Sequence, residues 1–194
     1  MAGTTRVRVS DRVVRMRVWD VLVRVLHWAM AAAVASAWIS GHWPPNDFDA
    51  VHHTAGYMAG AAVLLRLAWG LVGSRYARLA QFVRGPRAVL AYARAMRAGH
   101  ESRYIGHNPL GGWMVLLLWG TAFAVTATGW LYTTDWLWGY EWLSDLHALL
   151  AWLIATLVVG HLGGVVMASW RHRENLVAAM FSGSKRAPED DDIG

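Results

Sequence analysis

The chain has 194 residues, 56% hydrophobic and only 16% charged, with 13 tryptophans, no cysteine and a formal net charge of +5. One domain's worth of so apolar a chain, with a mean hydropathy of +0.27, is not an ordinary soluble domain. Without cysteine, disulfides, thiolate metal sites, iron–sulfur clusters and covalently attached haem are excluded, so any cofactor must hang on histidine, methionine or carboxylate.

Residues 1–17, within MAGTTRVRVSDRVVRMRVWD, form a basic leader to an apolar run. No small-residue cleavage site precedes Trp43 and the run is long enough to span, so it reads as a retained helix rather than a signal peptide. Four windows reach the ~20 residues that a hydrocarbon core of ~30 Å requires: about 19–41, 53–73, 111–132 and 145–168. Pro44 and Pro45 break the chain between the first two, in a loop made acidic by Asp47 and Asp49. In the long middle loop, 74–110, RGPRAVLAYARAMRAG reads as an amphipathic helix with Pro86 in its first turn and Gly99 at its end. Val89, Ala93 and Met96 share one of its faces, opposite Arg87, Arg94 and Arg97, which suits the surface of the inner leaflet. The third and fourth spans are joined by TTDWLWGYEWLSD, acidic and rich in tryptophan like a membrane-interface belt. After the fourth span, HRENLVAAMFSG predicts a short surface helix, followed by SKR and an acidic tail, PEDDDIG, expected to be disordered.

Every Lys and Arg lies at 6–24, 66–103 or 171–186, and none falls in 25–65 or 104–170. By the positive-inside rule, both termini and the middle loop are cytoplasmic and the two acidic loops face outward. The expected architecture is an all-α integral membrane protein: an up-and-down four-helix transmembrane bundle over 18–170, with a cytoplasmic surface segment at 171–194. The same placement of basic residues beside apolar runs argues for topology signals and against nucleic-acid binding, despite a sequence pI near 10.1.

Histidines inside membrane spans are costly and mark function. His27 lies about two turns into the first span from the cytoplasmic side, and His161, on the fourth span, lies at the same depth. His52 or His53 opens the second span at the outer side, and His147 opens the fourth there. His147 and His161 are fourteen residues apart, hence within about 40° of one face and about 21 Å apart along a helix. Two imidazole pairs with no cysteine or carboxylate suit bis-histidine ligation of two stacked b-type haems better than a zinc cage of three or four converging ligands. Gly56 and Gly60, one and two turns after His52, favour His52 over His53, since glycine admits a flat macrocycle or a close helix. Gly160, Gly163 and Gly164 flank His161 in the same way. Arg66, fourteen residues after His52, and Arg24, three before His27, could each pair with a haem propionate or a lipid phosphate. His42 is a rival outer ligand, and His107 in RYIGHNPLGG reads as an interfacial cap in preference to a quinone or partner contact. His100 and His172 read as facing solvent or headgroups.

Over about 18–186 the chain resembles the bacterial cytochrome b561 family, in the group that includes the cytochrome b subunit of Ni,Fe-hydrogenases. The motifs that carry the likeness are VWDVLVRVLHW, HHTAGY, RLAWGLVGSRYARLAQFVRGP, RYIGHNPLGG, LSDLHALLA, VVGHLGGVVMAS and HRENLVAAMFSGSKR. The resemblance implies a four-helix di-haem cytochrome pairing His27 with His161 and His52 with His147, the pairs that depth had already picked out. The chain lacks the extra length and helix of many hydrogenase subunits, and so is similar to stand-alone members passing electrons between quinone and a periplasmic donor or acceptor.

The expected function is therefore electron relay across the bacterial inner membrane between the quinone pool and a periplasmic c-type cytochrome or dehydrogenase, with a homodimer open as an assembly. A superoxide:quinone oxidoreductase is the alternative within the haem class. Outside it stand a histidine-based metal transporter or sensor and a cofactor-free membrane anchor.

Overall fold

The computed structural model describes residues 14–42 and 49–194. The first thirteen residues and the Trp43-Pro44-Pro45 break with Asp47 lie outside the described residues. Four long helices dominate: α1 (Val21–His42), α2 (Asp49–Val72), α5 (Pro109–Tyr132) and α6 (Glu141–Arg171). Each is long and apolar enough to cross a membrane. Their apolar residues go all the way round rather than forming one stripe, which suits lipid on one side and protein on the other. α2 and α6 begin about four residues before the hydropathy windows, because Asp49 and Glu141 sit in their first turns, where a carboxylate complements the helix dipole.

Packing runs α1 on α2, α2 on α5 and α5 on α6. The ring closes where Trp38 and His42 of α1 meet Trp152 of α6 edge-on, with ring centroids 5.5 and 5.4 Å apart. An apolar cluster ties the bundle to the segment that follows α2: Val63 of α2 and Phe82 of that segment are sealed completely, against Trp119 and Ala122 of α5 and Ile154 of α6. Gly60 allows α2 and α5 to approach closely, since a Cβ there would stand 2.6 Å from Thr126 Cγ2.

A cap closes the basic end of the bundle. It comprises a 3₁₀ turn (Arg75–Ala77), α3 (Leu79–Phe82), the expected amphipathic α4 (Pro86–Ala98) and α7 (Leu176–Ser182). β1 (Arg15–Arg17) and β2 (Ser184–Arg186) add an antiparallel ribbon, pairing Met16 with Lys185. The backbone N–H groups of Val18 and Trp19 both donate to Gly183 O, at 2.9 and 3.0 Å, so the segment entering α1 meets the one leaving α7.

The acidic tail is a correction to the expected disorder. Ile193 N donates to Arg103 O and Ile105 N to Ile193 O, both at 2.9 Å, and Asp192 forms an ion pair with Arg103. Arg103 also binds Glu174 at 3.0 Å, while Lys185 Nζ reaches Glu174 at 3.5 Å and donates to the carbonyls of Tyr104 and Ile105 at 3.2 and 3.0 Å. Composition alone leaves such a tail solvated, but two buried cations supply the partners that order it.

Candidate functional site

The outer level is built from the starts of α2 and α6. His52 and His147 face each other with ring centroids 6.0 Å apart and planes at 74°. His52 Nδ1 donates to the Ala37 carbonyl of α1 at 2.8 Å. His147 Nδ1 lies 3.1 Å from Thr128 Oγ1, whose single proton goes to the carbonyls of Ala124 and Val125 at 3.0 Å. The threonine oxygen is therefore left to accept, and His147 Nδ1 donates to it. Both imidazoles are thus fixed with Nδ1 protonated and the Nε2 lone pair free, which is how metal-ligating histidines are oriented.

The two rings line a cavity of about 620 Å³ that also takes in Gly56, Trp38, Ala122 and Thr126. That volume lies within the ~300–1,000 Å³ of cofactor pockets. A ring nitrogen ~2 Å from a metal puts its centroid ~3 Å away, so two imidazoles on opposite sides of one metal stand ~6 Å apart, as these do. Glycine makes the arrangement possible: a Cβ at Gly41 would lie 2.9 Å from His52 Cε1, and one at Gly129 would lie 3.0 Å from His147 Cε1, whereas at Gly56 it would meet open space. Among the described residues no three His, Asp or Glu side chains converge on one ion.

Sequence reasoning picked His52 and His147 but missed Gly41, Gly129 and Thr128, whose role depends on which neighbour they touch. His53 is exposed, and its centroid is 6.0 Å from that of His52. His42 also lines the cavity, its ring stacked on Trp38 at 4.0 Å and edge-on to Trp152 at 5.4 Å.

At the inner level, His27 of α1 and His161 of α6 are both half-buried. Polar atoms left without a partner among the described residues gather here: Arg24 Nε, His27 Nδ1, Trp28 Nε1, Arg66 Nη1, Gln81 Oε1 and His107 Nδ1. Buried polar groups are ordinarily satisfied, so a cluster of orphans marks a place prepared for a polar group the protein does not itself supply. Arg66 is 4% exposed, donates through Nη2 to Ala77 O at 3.1 Å and lies over the Trp119 ring at 4.8 Å. Arg24 Nη1 donates to the Phe181 carbonyl, and the Phe181 ring stacks on Trp28 at 4.3 Å, beside His27.

His107 departs from its expected capping role. Asn108 is the cap of α5, accepting from Gly111 N at 2.7 Å, while the His107 ring sits between Trp19 and Phe82 at 4.9 and 4.8 Å. Enclosure pushes its pKa down to about 3, helped by the charges of Arg66 and Lys185 and by the His161 and His27 imidazoles. The loop before α5 is therefore part of the inner level.

The profile of the family described as prokaryotic cytochrome b561 matches residues 18–183. A probable Ni/Fe-hydrogenase B-type cytochrome subunit of Rhodobacter capsulatus is 24% identical over 215 residues, covering 89% of this chain and 82% of the relative. Its counterpart in Rhizobium leguminosarum bv. viciae is 23% identical, covering 90% of both chains, and that of Cupriavidus necator is 23% identical, covering 86% and 85%. No solved structure matches significantly. A family match over nearly the whole four-helix frame, joined to four helices long and apolar enough to cross a membrane, carries the conclusion that the chain belongs to the prokaryotic cytochrome b561 family, as a multi-pass membrane protein that binds b-type haem and transfers electrons.

Proposed function

We propose that the chain carries two b haems, one ligated by His52 and His147 and the other by His27 and His161, in one membrane unit over 18–170 with both termini cytoplasmic. The observation that carries this reading is the outer pair, 6.0 Å apart and with both Nδ1 atoms already occupied as donors. Bound haem supplies one-electron chemistry at each level. The chain's residues do the rest. Ala37 O and Thr128 Oγ1 fix the outer tautomers, and Gly41, Gly56 and Gly129 leave room for a flat ring. Arg66 and Arg24 offer unpaired donors to the inner propionates.

In this reading the protein sits in the inner membrane and passes electrons between quinone and a redox protein at the outer face. The relatives are named as hydrogenase cytochrome subunits, which supports a protein donor there, a hydrogenase being one of that class. The outer side carries Asp49, Asp135, Glu141 and Asp145 and no Lys or Arg. Such a face repels an anion, which counts against superoxide as the substrate.

The test is pyridine haemochrome quantitation and a reduced-minus-oxidised spectrum on detergent-purified protein, beside His27→Ala and His147→Ala. About two haems per chain, falling to about one in each variant, is the expected result. One haem in the unmodified protein, or no loss in either variant, overturns the ligand assignment.

A further inference from the structure

We propose that α4 is a binding site for anionic phospholipid: its outward arginines, Arg87, Arg94 and Arg97, hold lipid phosphates in the leaflet on the basic side of the bundle. The histidine levels serve here only as marks of depth, and the reading above supplies only the name of that leaflet, the inner one.

An amphipathic helix beside a bilayer ordinarily lays its apolar face on the lipid. α4 does the opposite. Tyr92 is buried with its ring edge-on to that of Tyr104 at 5.6 Å, and Val89, Ala93 and Met96 are half-buried on the same side, where α4 packs on α5. Arg87, Leu90, Arg94 and Arg97 are exposed, and at ~100° per residue they fall within about 80° of one another. One stripe of three cations and a leucine faces away from the chain.

No acid of the described chain answers it. The ion pairs engage Arg103, Arg171, Lys185 and Arg186 and none of the α4 arginines. Glu101, the first acid after the helix, is taken by Arg171 and its side chain is only 6% exposed. Like charges three and four positions apart on a helix repel, so the stripe is relieved by an anion from outside.

Depth selects that anion. Met114 of α5 stands level with His161, since a Cβ at Gly160 would meet Met114 Cε at 3.5 Å. The neighbouring Trp113 donates from Nε1 to Arg84 O at 2.9 Å, which sets the foot of α4 at about the same level. The far end is fixed by Arg171, which donates to Met96 O at 2.8 Å. Along α6, Arg171 lies about 15 Å beyond His161. The helix, with 13 residues, is about 20 Å long and therefore climbs obliquely out of the bilayer. Two levels ~21 Å apart in a ~30 Å core leave about 5 Å of hydrocarbon beyond the inner one, and headgroups fill roughly the next 5–7 Å. The arginine stripe crosses that headgroup layer.

Leu90 favours lipid over an acidic protein. It is 57% exposed between Arg87 and Arg94, and Val83 and Trp113, 38% and 40% exposed, continue an apolar border at the foot of the helix. At the edge of a bilayer such apolar groups meet acyl chains, while guanidiniums on long stems reach phosphate oxygens. The planar fork of arginine binds two of those oxygens at once. The ligand class is a phosphodiester lipid with net negative charge, because the amine of a zwitterionic headgroup cancels its own phosphate.

The experiment titrates the full-length, haem-loaded protein in non-ionic detergent with phosphatidylglycerol or phosphatidylcholine, and bound lipid is counted by native mass spectrometry. Phosphatidylglycerol is expected to bind in preference. Arg87→Gln, Arg94→Gln and Arg97→Gln should each weaken it about fivefold, the worth of one basic residue near an anionic surface. Arg94→Lys should keep most of the affinity, and Leu90→Gln should lower it with no change of charge. Arg15→Gln, on the ribbon and outside α4, should leave it unchanged. Inorganic phosphate and polyglutamate, added as competitors at matched ionic strength, should not displace the lipid. Equal binding of the two lipids, or as large a loss in Arg15→Gln as in the α4 variants, overturns the proposal. So does displacement by phosphate, which would make α4 a free-anion site, or by polyglutamate, which would make it a docking face for an acidic protein. Should a glutamine variant fail to fold, the parent protein is read in rising salt, where an affinity that does not fall overturns the proposal equally.

Discussion

Single atoms decide how the outer imidazoles are placed. Gly129 leaves the His147 ring little slack, since a Cβ there would stand 3.0 Å from His147 Cε1 and 3.4 Å from Nδ1, and the ring would have to give way by a few tenths of an ångström. Gly129→Val is therefore expected to reduce haem from two to about one per chain while the circular dichroism stays that of a folded helical protein. Full haem content would show that the ring can shift without loss. His107 carries a prediction of a different kind. Its pKa is lowered from 6.5 to about 3 in the folded protein, so below pH 6.5 the unfolded chain takes up a proton that the folded chain refuses. Stability should then fall as pH drops from about 6.5 towards 3, by at most about 1.4 kcal/mol per pH unit. Thermal melts across that range check it, and His107→Asn should flatten the slope. The histidines could be read from sequence because a polar residue in an apolar run stands out. The glycines and Thr128 could not, because their meaning lies in a neighbour on another helix.

Elements divide in the same way. The four spans were legible because hydrocarbon thickness imposes one length and one composition, and α4 because its arginines lie on a single face. The cap was not. Its pairing of Arg103 with Glu174 and with Asp192 bridges 71 and 89 positions of chain, and no local pattern announces such a partner. Burial would raise the Glu174 pKa, yet Arg103 and Lys185 hold it below the ordinary carboxylate value. Arg103→Ala would leave the Glu174 and Asp192 side chains, 8% and 6% exposed, without their main cation. Breaking a buried pair from one side costs about 3–5 kcal/mol. The variant should therefore melt earlier and become open to proteolysis in 187–194. Melting and cleavage unchanged from the parent protein would show that the tail does not depend on the pair.

At the scale of the whole molecule, the absence of cysteine permits a clean test of orientation. Asp135→Cys should react with a membrane-impermeant maleimide in intact cells, and Ser102→Cys only after lysis; the opposite pattern would invert the bundle. The spacing of the two histidine levels has one more consequence. They lie about 21 Å apart along α6, in a bundle of apolar helices where an isolated charge is costly and charge-balancing ions do not follow freely. For centres at these levels, each electron that crosses charges the membrane as it would a capacitor plate. The two levels span about two-thirds of a ~30 Å core, and a full crossing is worth about 2.3 kcal/mol per 100 mV. A membrane potential therefore weights the two directions of transfer between these levels unequally, favouring an electron that moves toward the positive side and opposing one that moves toward the negative side.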